Sequence, residues 1–196
     1  GPSTKTSGLD FKAQYDFDDF FGTDMVDARV SMGLDGTYLL SYDRSDFTLF
    51  GAEDVVIQAA QDRVGRHELT GEFYSYPRLR ATGFVNVNGG LWNVRYQVQY
   101  REGTEIIGDE CPASGASAAC RYDRATATFV NVGKSDDFWQ HDLTGQFELP
   151  WNTTISAGVQ NIFDTDPPFV QSMYNYDYTN GNPLGRTFKI GVKQRF

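Results

Sequence analysis

The sequence contains no run of apolar residues that approaches the length of about 18 needed for a transmembrane helix. Its mean hydropathy is −0.46, a value that is usual for water-soluble proteins. Averaging hides the strands of a membrane β-barrel, because every second residue of such a strand faces a polar lumen. The composition therefore excludes a transmembrane helix and leaves a membrane barrel open.

Motifs for catalysis and for nucleic-acid binding are missing as well. The sequence has no nucleophile elbow, no phosphate-binding loop and no His–carboxylate spacing suited to a metal. We therefore expect neither an enzyme nor a bound cofactor. The chain carries 26 acidic and only 17 basic residues, for a net charge of −9. Nucleic-acid partners need a basic face and are not expected.

Cysteine and histidine are scarce, with two residues of each type. Cys111 and Cys120 lie close together in a segment rich in Ala, Ser and Gly. A metal site would need further ligands nearby, and only His67 and His141 are available. A disulfide that closes a surface loop is the preferred interpretation, and it favours an oxidising compartment.

Aromatic residues make up 15% of the chain, and many of them alternate with polar residues. In residues 186–196, Phe188, Ile190, Val192 and Phe196 fall on one side of a two-residue period, and Lys189, Lys193 and Arg195 fall on the other. Such a strand separates an apolar from an aqueous environment. A terminal aromatic is typical of the last strand of an outer-membrane barrel, with its interfacial aromatic girdle.

The same alternation recurs along the chain and predicts about seven strands, each of roughly ten residues, the length that crosses a bilayer at a tilt. The predicted strands lie at about residues 9–17, 26–38, 79–87, 92–101, 139–149, 151–160 and 186–196. Phe84 is the exception, because it falls on the polar side of its strand. The fold class is therefore all-β, and the pattern favours an antiparallel barrel wall.

The connections fall into two classes that alternate. Short turns are predicted at residues 18–24, 88–90 and 149–152, and long loops at about 44–76, 107–134 and 165–184. All long loops then project from the same rim, which is typical of outer-membrane barrels, with short periplasmic turns and long extracellular loops.

An odd number of strands conflicts with a closed bacterial barrel, which has an even number. Either an eighth strand lies within residues 67–76 or 122–131, or the chain is part of a larger wall. Two other functions stay open: a small self-contained barrel that acts as an adhesin or enzyme, and a soluble carbohydrate-binding β-sandwich.

Two segments carry a resemblance to a known family. Residues 142–169 contain Asn161-Ile162-Phe163-Asp164 followed by Asp166-Pro167-Pro168, and residues 174–188 lead through Gly185-Arg186 into the last strand. Both segments resemble the end of a TonB-dependent outer-membrane receptor. Residues 5–10, and residues 77–81 followed by Trp92, resemble earlier wall strands of the same family.

The resemblance implies a barrel of about 22 strands closed by a plug domain. This chain would be its C-terminal third and would contribute wall and extracellular loops in the outer membrane of a Gram-negative bacterium. Its partners would be the remaining N-terminal strands and the plug, TonB through a TonB box in the missing part, the outer-membrane assembly machinery, lipopolysaccharide and lipid. The imported nutrient would be a siderophore, cobalamin, a glycan or a peptide.

Candidate functional residues follow from these patterns. Aromatic and amide side chains in one loop suit a ligand such as a sugar: Tyr174, Asn175, Tyr176, Tyr178, Asn180 and Asn182. The assembly signal would consist of Phe188, Ile190, Val192 and Phe196. A row on the predicted lumen side should contact the plug or water: Arg95, Gln97, Gln99 and Arg101.

Acidic residues supply weaker candidates. Calcium-like groups are Asp16, Asp18 and Asp19, and also Asp164 and Asp166; turn or lumen positions are the simpler interpretation, so no metal site is expected. Loop carboxylates that could bridge lipopolysaccharide phosphates through divalent ions are Glu53, Asp54, Asp62, Asp109 and Glu110. The Asn152-Thr153-Thr154 sequon lies in a predicted periplasmic turn.

Overall fold

A computed structural model of the chain describes residues 3–17, 28–49, 52–58, 60–67, 75–106, 114–115, 120–131, 133–170, 176–177 and 181–195. Within these residues every regular element is a β-strand, so the predicted all-β class is confirmed. No helix in the described part is long and apolar enough to cross a membrane.

The strands of the described part are seven long ones and eight short ones. In chain order they are β1 (Thr4–Phe17), β2 (Arg29–Arg44), β3 (Phe47–Leu49), β4 (Ala52–Gln58), β5 (Gln61–Asp62), β6 (Arg66–His67), β7 (Ser75–Tyr76), β8 (Leu79–Asn88), β9 (Trp92–Arg101), β10 (Glu105–Ile106), β11 (Cys120–Asp123), β12 (Thr128–Asn131), β13 (Phe138–Leu149), β14 (Thr153–Gln160) and β15 (Thr187–Gln194).

The seven long strands form one antiparallel sheet in the order β1-β2-β8-β9-β13-β14-β15. Each of the seven predicted strands is present, and β9 has the predicted bounds. Strands β1 and β2 extend further toward the long loops than alternation indicated, to Thr4 and Arg44. A register shift between Ser7 and Gly8 interrupts the pairing of β1 with β2 and hides the regular period there.

The connections alternate as predicted. Short turns join β8 to β9 and β13 to β14, and long segments join β2 to β8, β9 to β13 and β14 to β15. Because neighbouring strands are antiparallel, the three long segments leave the same end of the sheet, here called the loop end. The connection between β1 and β2 covers residues 18–28 and is longer than the predicted turn 18–24, which itself lies outside the described residues.

Among the described residues the sheet is open. Of the described strands, β1 pairs with β2 alone, and β15 pairs with β14 alone. In the described residues of the two predicted locations there is no eighth long strand: β6 and β7 belong to a small sheet with β10, and β11 and β12 form a separate hairpin. Residues 68–74 of the first location lie outside the described residues. The two-residue β5 pairs with the end of β2. A closed barrel is therefore not seen.

The two faces of the sheet differ in composition. Residues directly opposite in an antiparallel ladder share a face. The first, called the apolar face, is formed by Leu9, Phe11, Ala13, Tyr15, Phe17, Val30, Met32, Leu34, Gly36, Tyr38, Leu79, Ala81, Gly83, Val85, Val87, Trp92, Val94, Tyr96, Val98, Tyr100, Trp139, His141, Leu143, Gly145, Phe147, Leu149, Thr153, Ile155, Ala157, Val159, Phe188, Ile190, Val192 and Gln194.

The opposite side, called the polar face, carries the charged and amide side chains of the same strands. The exception predicted for Phe84 has a structural reason. Phe84 lies directly opposite Gly33, and a Cβ on Gly33 would come within 2.5 Å of the Phe84 ring. The Arg95 guanidinium lies 3.9 Å from the centre of the same ring. The aromatic ring therefore fills the space over a glycine and is covered by a cation.

The buried residues lie mainly at the loop end. They include Val64, His67, Ser75, Thr104, Ser135 and Phe138, together with Gln140, Asp142, Asn161, Val170 and Asp177. No described strand packs face to face on the large sheet, because each strand contacts only its ladder neighbours. The middle of the sheet thus has no second layer in the described part.

Candidate functional site

The turn after β14 ties the start of the last long loop to neighbouring strands. Asn161 has a φ of 53°, and its side-chain amide both accepts from the Thr165 backbone N–H at 2.9 Å and donates to the Thr165 carbonyl at 2.8 Å. The backbone N–H of Asn161 donates to Asp142 Oδ1 at 2.9 Å. Asn tolerates the left-handed conformation, which explains its use here.

The carboxylate of Asp142 is the anchor of that turn. Besides Asn161, it accepts hydrogen bonds from Gln140 Nε2 at 2.9 Å and from Gln99 Nε2 at 3.0 Å. Asp142 is buried on the polar face. Hydrogen bonds from three donors compensate the cost of burying its carboxylate. The four residues belong to β9, β13 and the turn after β14, so this network fixes the loop end of three neighbouring strands.

A second buried network joins the three long loops. His67 Nδ1 and Thr104 Oγ1 are 2.9 Å apart, and the Thr104 backbone N–H donates to Ser135 Oγ at 2.8 Å. Ser75, which lies opposite His67 in the β6–β7 ladder, donates its hydroxyl to Asp177. Since these residues come from all three long connections, the loops are held to one another at their base.

His67 is only 4% exposed, and its Nε2 atom has no hydrogen-bond partner among the described residues. Burial lowers the pKa of His67 below its ordinary value of 6.5, and the attraction of Asp177 and the bond to Thr104 oppose that effect only in part. The imidazole is therefore held neutral near pH 7. Sequence reasoning missed this network, because no local pattern connects Ser75 with Asp177.

The candidate ligand loop lies largely outside the described residues, which exclude Tyr174, Asn175, Tyr178 and Asn180. Tyr176 is half-buried, and Asn182 is exposed. The Asn182 side-chain oxygen accepts from the Leu184 backbone N–H at 3.0 Å, so it serves its own turn. The ligand role of this loop stays a prediction.

Only one of the two cysteines of the predicted disulfide lies within the described residues. Cys120 is disulfide-bonded and begins β11, whereas Cys111 lies outside the described residues. The β11–β12 hairpin beside it is closed by Asp123, which accepts from the Ala125 backbone N–H and the Thr126 hydroxyl, both at 2.9 Å. These bonds lower the pKa of Asp123.

The candidate assembly strand presents its apolar side chains openly. Phe188, Ile190 and Val192 share the apolar face of β15 and are 69%, 84% and 70% exposed. Lys189 and Lys193 occupy the opposite face, as predicted. Phe196 lies outside the described residues.

Some of the acidic candidates lie within the described residues and others do not. Asp62 accepts from the backbone N–H groups of Tyr42 and Val64, each at 3.1 Å. Burial raises the pKa of Asp62, but these bonds and the nearby Arg78 and Arg66 outweigh it and lower the pKa. The carboxylate therefore serves local structure. Asp109 and Glu110 lie outside the described residues, as do Asp18 and Asp19, and the side chains of Glu53 and Asp54 are not described.

No group of three or more His, Cys, Asp or Glu side chains suited to a metal occurs in the part of the chain that the structure describes. Of the calcium-like candidates, Asp16 accepts from the Gln14 amide, and Asp164 is bonded to Arg186. Asn152 of the sequon has a φ of 55° in the short turn, where its carbonyl accepts from the Arg195 backbone N–H at 3.1 Å.

The apolar face is bounded by two pairs of aromatic residues. Trp92 lies opposite Phe147 near the short turns, and Tyr100 lies opposite Trp139 at the loop end, with ring centres 4.5 Å apart in the second pair. The step from Trp92 to Tyr100 covers about 26 Å along the strand at about 3.3 Å per residue.

Comparison of the chain with protein-family models, with curated proteins and with solved structures finds no match. The residues and their geometry are therefore the basis on which a function can be assigned.

Proposed function

We propose that this chain is the C-terminal wall segment of a TonB-dependent outer-membrane receptor that imports a scarce nutrient. The observation that carries the proposal is the uncovered apolar face, which continues across all seven strands of the large sheet. Residues such as Leu9, Leu34, Phe147 and Ile190 are exposed on it. Soluble monomers rarely expose apolar patches of this extent, whereas lipid covers such a face in a membrane barrel.

The surface area of the chain supports this assignment. Its accessible surface is 13074 Å², whereas a compact protein of the same mass exposes about 9300 Å². A β-sandwich would cover the apolar face with a second sheet, and the described strands supply none. Lipid or further polypeptide is needed to complete the fold.

The spacing of the aromatic pairs fits a membrane band. The distance from Trp92 to Tyr100 corresponds to about 20 Å across the bilayer at a strand tilt of about 40°, close to the apolar band of outer-membrane barrels, about 25 Å tall. Aromatic rings at both limits of the band match the girdles that mark the two interfaces.

The bare edges support an incomplete wall. In hydrocarbon each unpaired backbone group costs several kcal/mol, so β1 and β15 need ladder partners. In the described part they do not pair with each other. The N-terminal strands of the same receptor are the proposed partners, with the plug beside the polar face and TonB acting on the missing part.

Lipid contact can be tested by fluorescence quenching with two matched variants. Ile190→Trp and Lys189→Trp place one tryptophan on opposite faces of β15, in a chain whose Trp92, Trp139 and Trp151 are replaced by Phe. In vesicles with brominated acyl chains, we expect strong quenching of the tryptophan at 190 and weak quenching at 189. Equal quenching, or a monomeric chain that is stable without detergent, would contradict the membrane assignment.

The two edges can be tested separately with photo-crosslinking residues. Benzoylphenylalanine in place of Phe11 or Phe188 puts the reactive group on β1 or β15. In the protein from its native membrane, we expect both to react with polypeptide outside residues 1–196. A crosslink that joins β1 to β15 would instead indicate the small self-contained barrel.

A further inference from the structure

Two arginines of the polar face stand directly opposite each other. Arg80 of β8 pairs with Arg101 of β9 at the loop end of the sheet. Like charges in directly opposite positions destabilise a ladder. A pair of this kind is therefore unusual unless a group of opposite charge lies close to it.

Among the described residues, no carboxylate forms an ion pair with either arginine. Arg80 is exposed and makes no hydrogen bond or ion pair with any described residue. Asp35, its diagonal neighbour through the β2–β8 register, forms no ion pair with it in the described part. Asp142, further down the polar face, is already occupied by Gln99, Gln140 and the Asn161 N–H.

The position of Arg101 is held by its surroundings. Its guanidinium donates to Gln99 Oε1 at 3.4 Å and lies 5.8 Å from the centre of the buried Phe138 ring. Asp177 attracts Arg101 and also His67, but its carboxylate is bonded to Ser75. Asp177 therefore attracts Arg101 but not Arg80, which is left without an ion-pair partner among the described residues.

We propose that Arg80 and Arg101 together bind one small anionic group, a carboxylate or a phosphate, of a solute that enters beneath the long loops. Two guanidinium groups on one face offer several N–H donors to the oxygens of such a group.

The acidity of the chain limits the ligand to a small one. A net charge of −9 repels an extended polyanion, whereas a single compact anion can reach two local cations. The role of this site in cargo selection rests on the proposed import function. The anion site itself does not require the import function, because it rests on the β8–β9 register and on the lack of an ion pair at Arg80 among the described residues.

The test is calorimetric titration of the full chain folded in detergent, with its sheet verified by circular dichroism. The probes are citrate and inorganic phosphate at constant ionic strength, and maltose serves as the neutral control. We expect saturable binding of at least one anion and none of maltose. The anion that binds with the higher affinity identifies the recognised group, a carboxylate if it is citrate and a phosphate if it is inorganic phosphate.

Three variants assign the binding to the pair. Arg80→Gln and Arg101→Gln should each weaken anion binding about tenfold or more, because each removes a charged donor. Lys189→Gln removes the same charge from a distant strand of the polar face and should leave binding unchanged. Arg80→Lys keeps the charge and the fold and should give an intermediate affinity.

Absence of saturable anion binding, or equal affinities for Arg80→Gln and Lys189→Gln, would overturn the proposal. Quenching by brominated lipid reports on β15 and requires no anion. The two experiments therefore distinguish a wrong anion-site proposal from a wrong membrane assignment.

Discussion

Asp164 and Arg186 are joined twice across the last long loop. The Arg186 backbone N–H donates to Asp164 Oδ1 at 2.6 Å, and the Arg186 guanidinium lies 4.0 Å from Asp164 Oδ2. Both side chains are about half exposed, so the ion pair itself contributes little. The backbone hydrogen bond is the stronger tie, and it places the start of β15 beside the turn that follows β14.

Three substitutions of Asp164 should separate the contribution of this hydrogen bond to stability from the contribution of backbone strain. Asp164 has a φ of 57°, which Asn and Gly tolerate and Ala does not. Asp164→Asn keeps the acceptor and should change the free energy of unfolding little. Asp164→Gly should lose about 1 kcal/mol with the bond, and Asp164→Ala about 2 kcal/mol because strain is added. Urea unfolding in detergent measures the series; equal losses for Ala and Asn would contradict it.

The stability of the loop base should depend on pH through His67. Its pKa is lowered by burial in the folded chain. As pH falls below 6.5, the ordinary value, the unfolded chain therefore binds a proton that the folded chain does not. Stability is fully present above pH 6.5 and decreases as pH falls toward the folded-state pKa. The midpoints of urea unfolding at about pH 7.5, 6.5 and 5.5 measure the decrease in stability.

The control for this effect is His67→Asn, whose amide can still bond to Thr104 but does not titrate near neutral pH. We expect the variant to lose less stability than the wild type over the same range. An identical pH dependence in both proteins would mean that other groups cause it.

A bridge between Cys111 and Cys120 should leave no free thiol in the unreduced, denatured chain. The loop-entropy estimate for so short a loop is about 3 kcal/mol. Replacement of both cysteines by Ser should therefore lower the stability of the β11–β12 region, measured as faster amide exchange there, and leave β9 and β13 unchanged. Two reactive thiols in the unreduced protein would disprove the bridge.

The faces of β15 predict opposite outcomes for two neighbouring substitutions. Val192 lies on the apolar face, and Lys193 lies on the polar face. A cation among lipid costs about 2–4 kcal/mol at the midplane and less near the rim. Val192→Lys should therefore reduce membrane-inserted protein, whereas Lys193→Leu should be tolerated. Equal tolerance would mean that the faces are assigned wrongly.

Deletion of Phe196 should affect assembly more than stability. Its proposed role is recognition by the assembly machinery, which acts before insertion. We expect less inserted protein, with nearly unchanged urea resistance of the fraction that is inserted. The reverse result, normal yield with lowered resistance, would assign Phe196 a packing role instead.

Local alternation was sufficient to predict the seven strands and their faces. The bounds of β9 follow directly from Trp92–Arg101, because each side chain of a strand points opposite to the next, whatever the partner strand is. The alternation of short and long connections could also be predicted, since it depends only on the spacing of strands. The bulge at Ser7 and the longer ends of β1 and β2 could not, because a register shift breaks the period.

The sequence by itself therefore determined the all-β class, the apolar and polar faces and the common end of the long loops. Only the tertiary structure decided which residues meet across strands and loops. The opposition of Arg80 and Arg101 depends on ladder register, and the bond from Ser75 to Asp177 joins loops far apart in sequence. Such contacts follow from the alignment of whole strands, which one segment read alone does not specify.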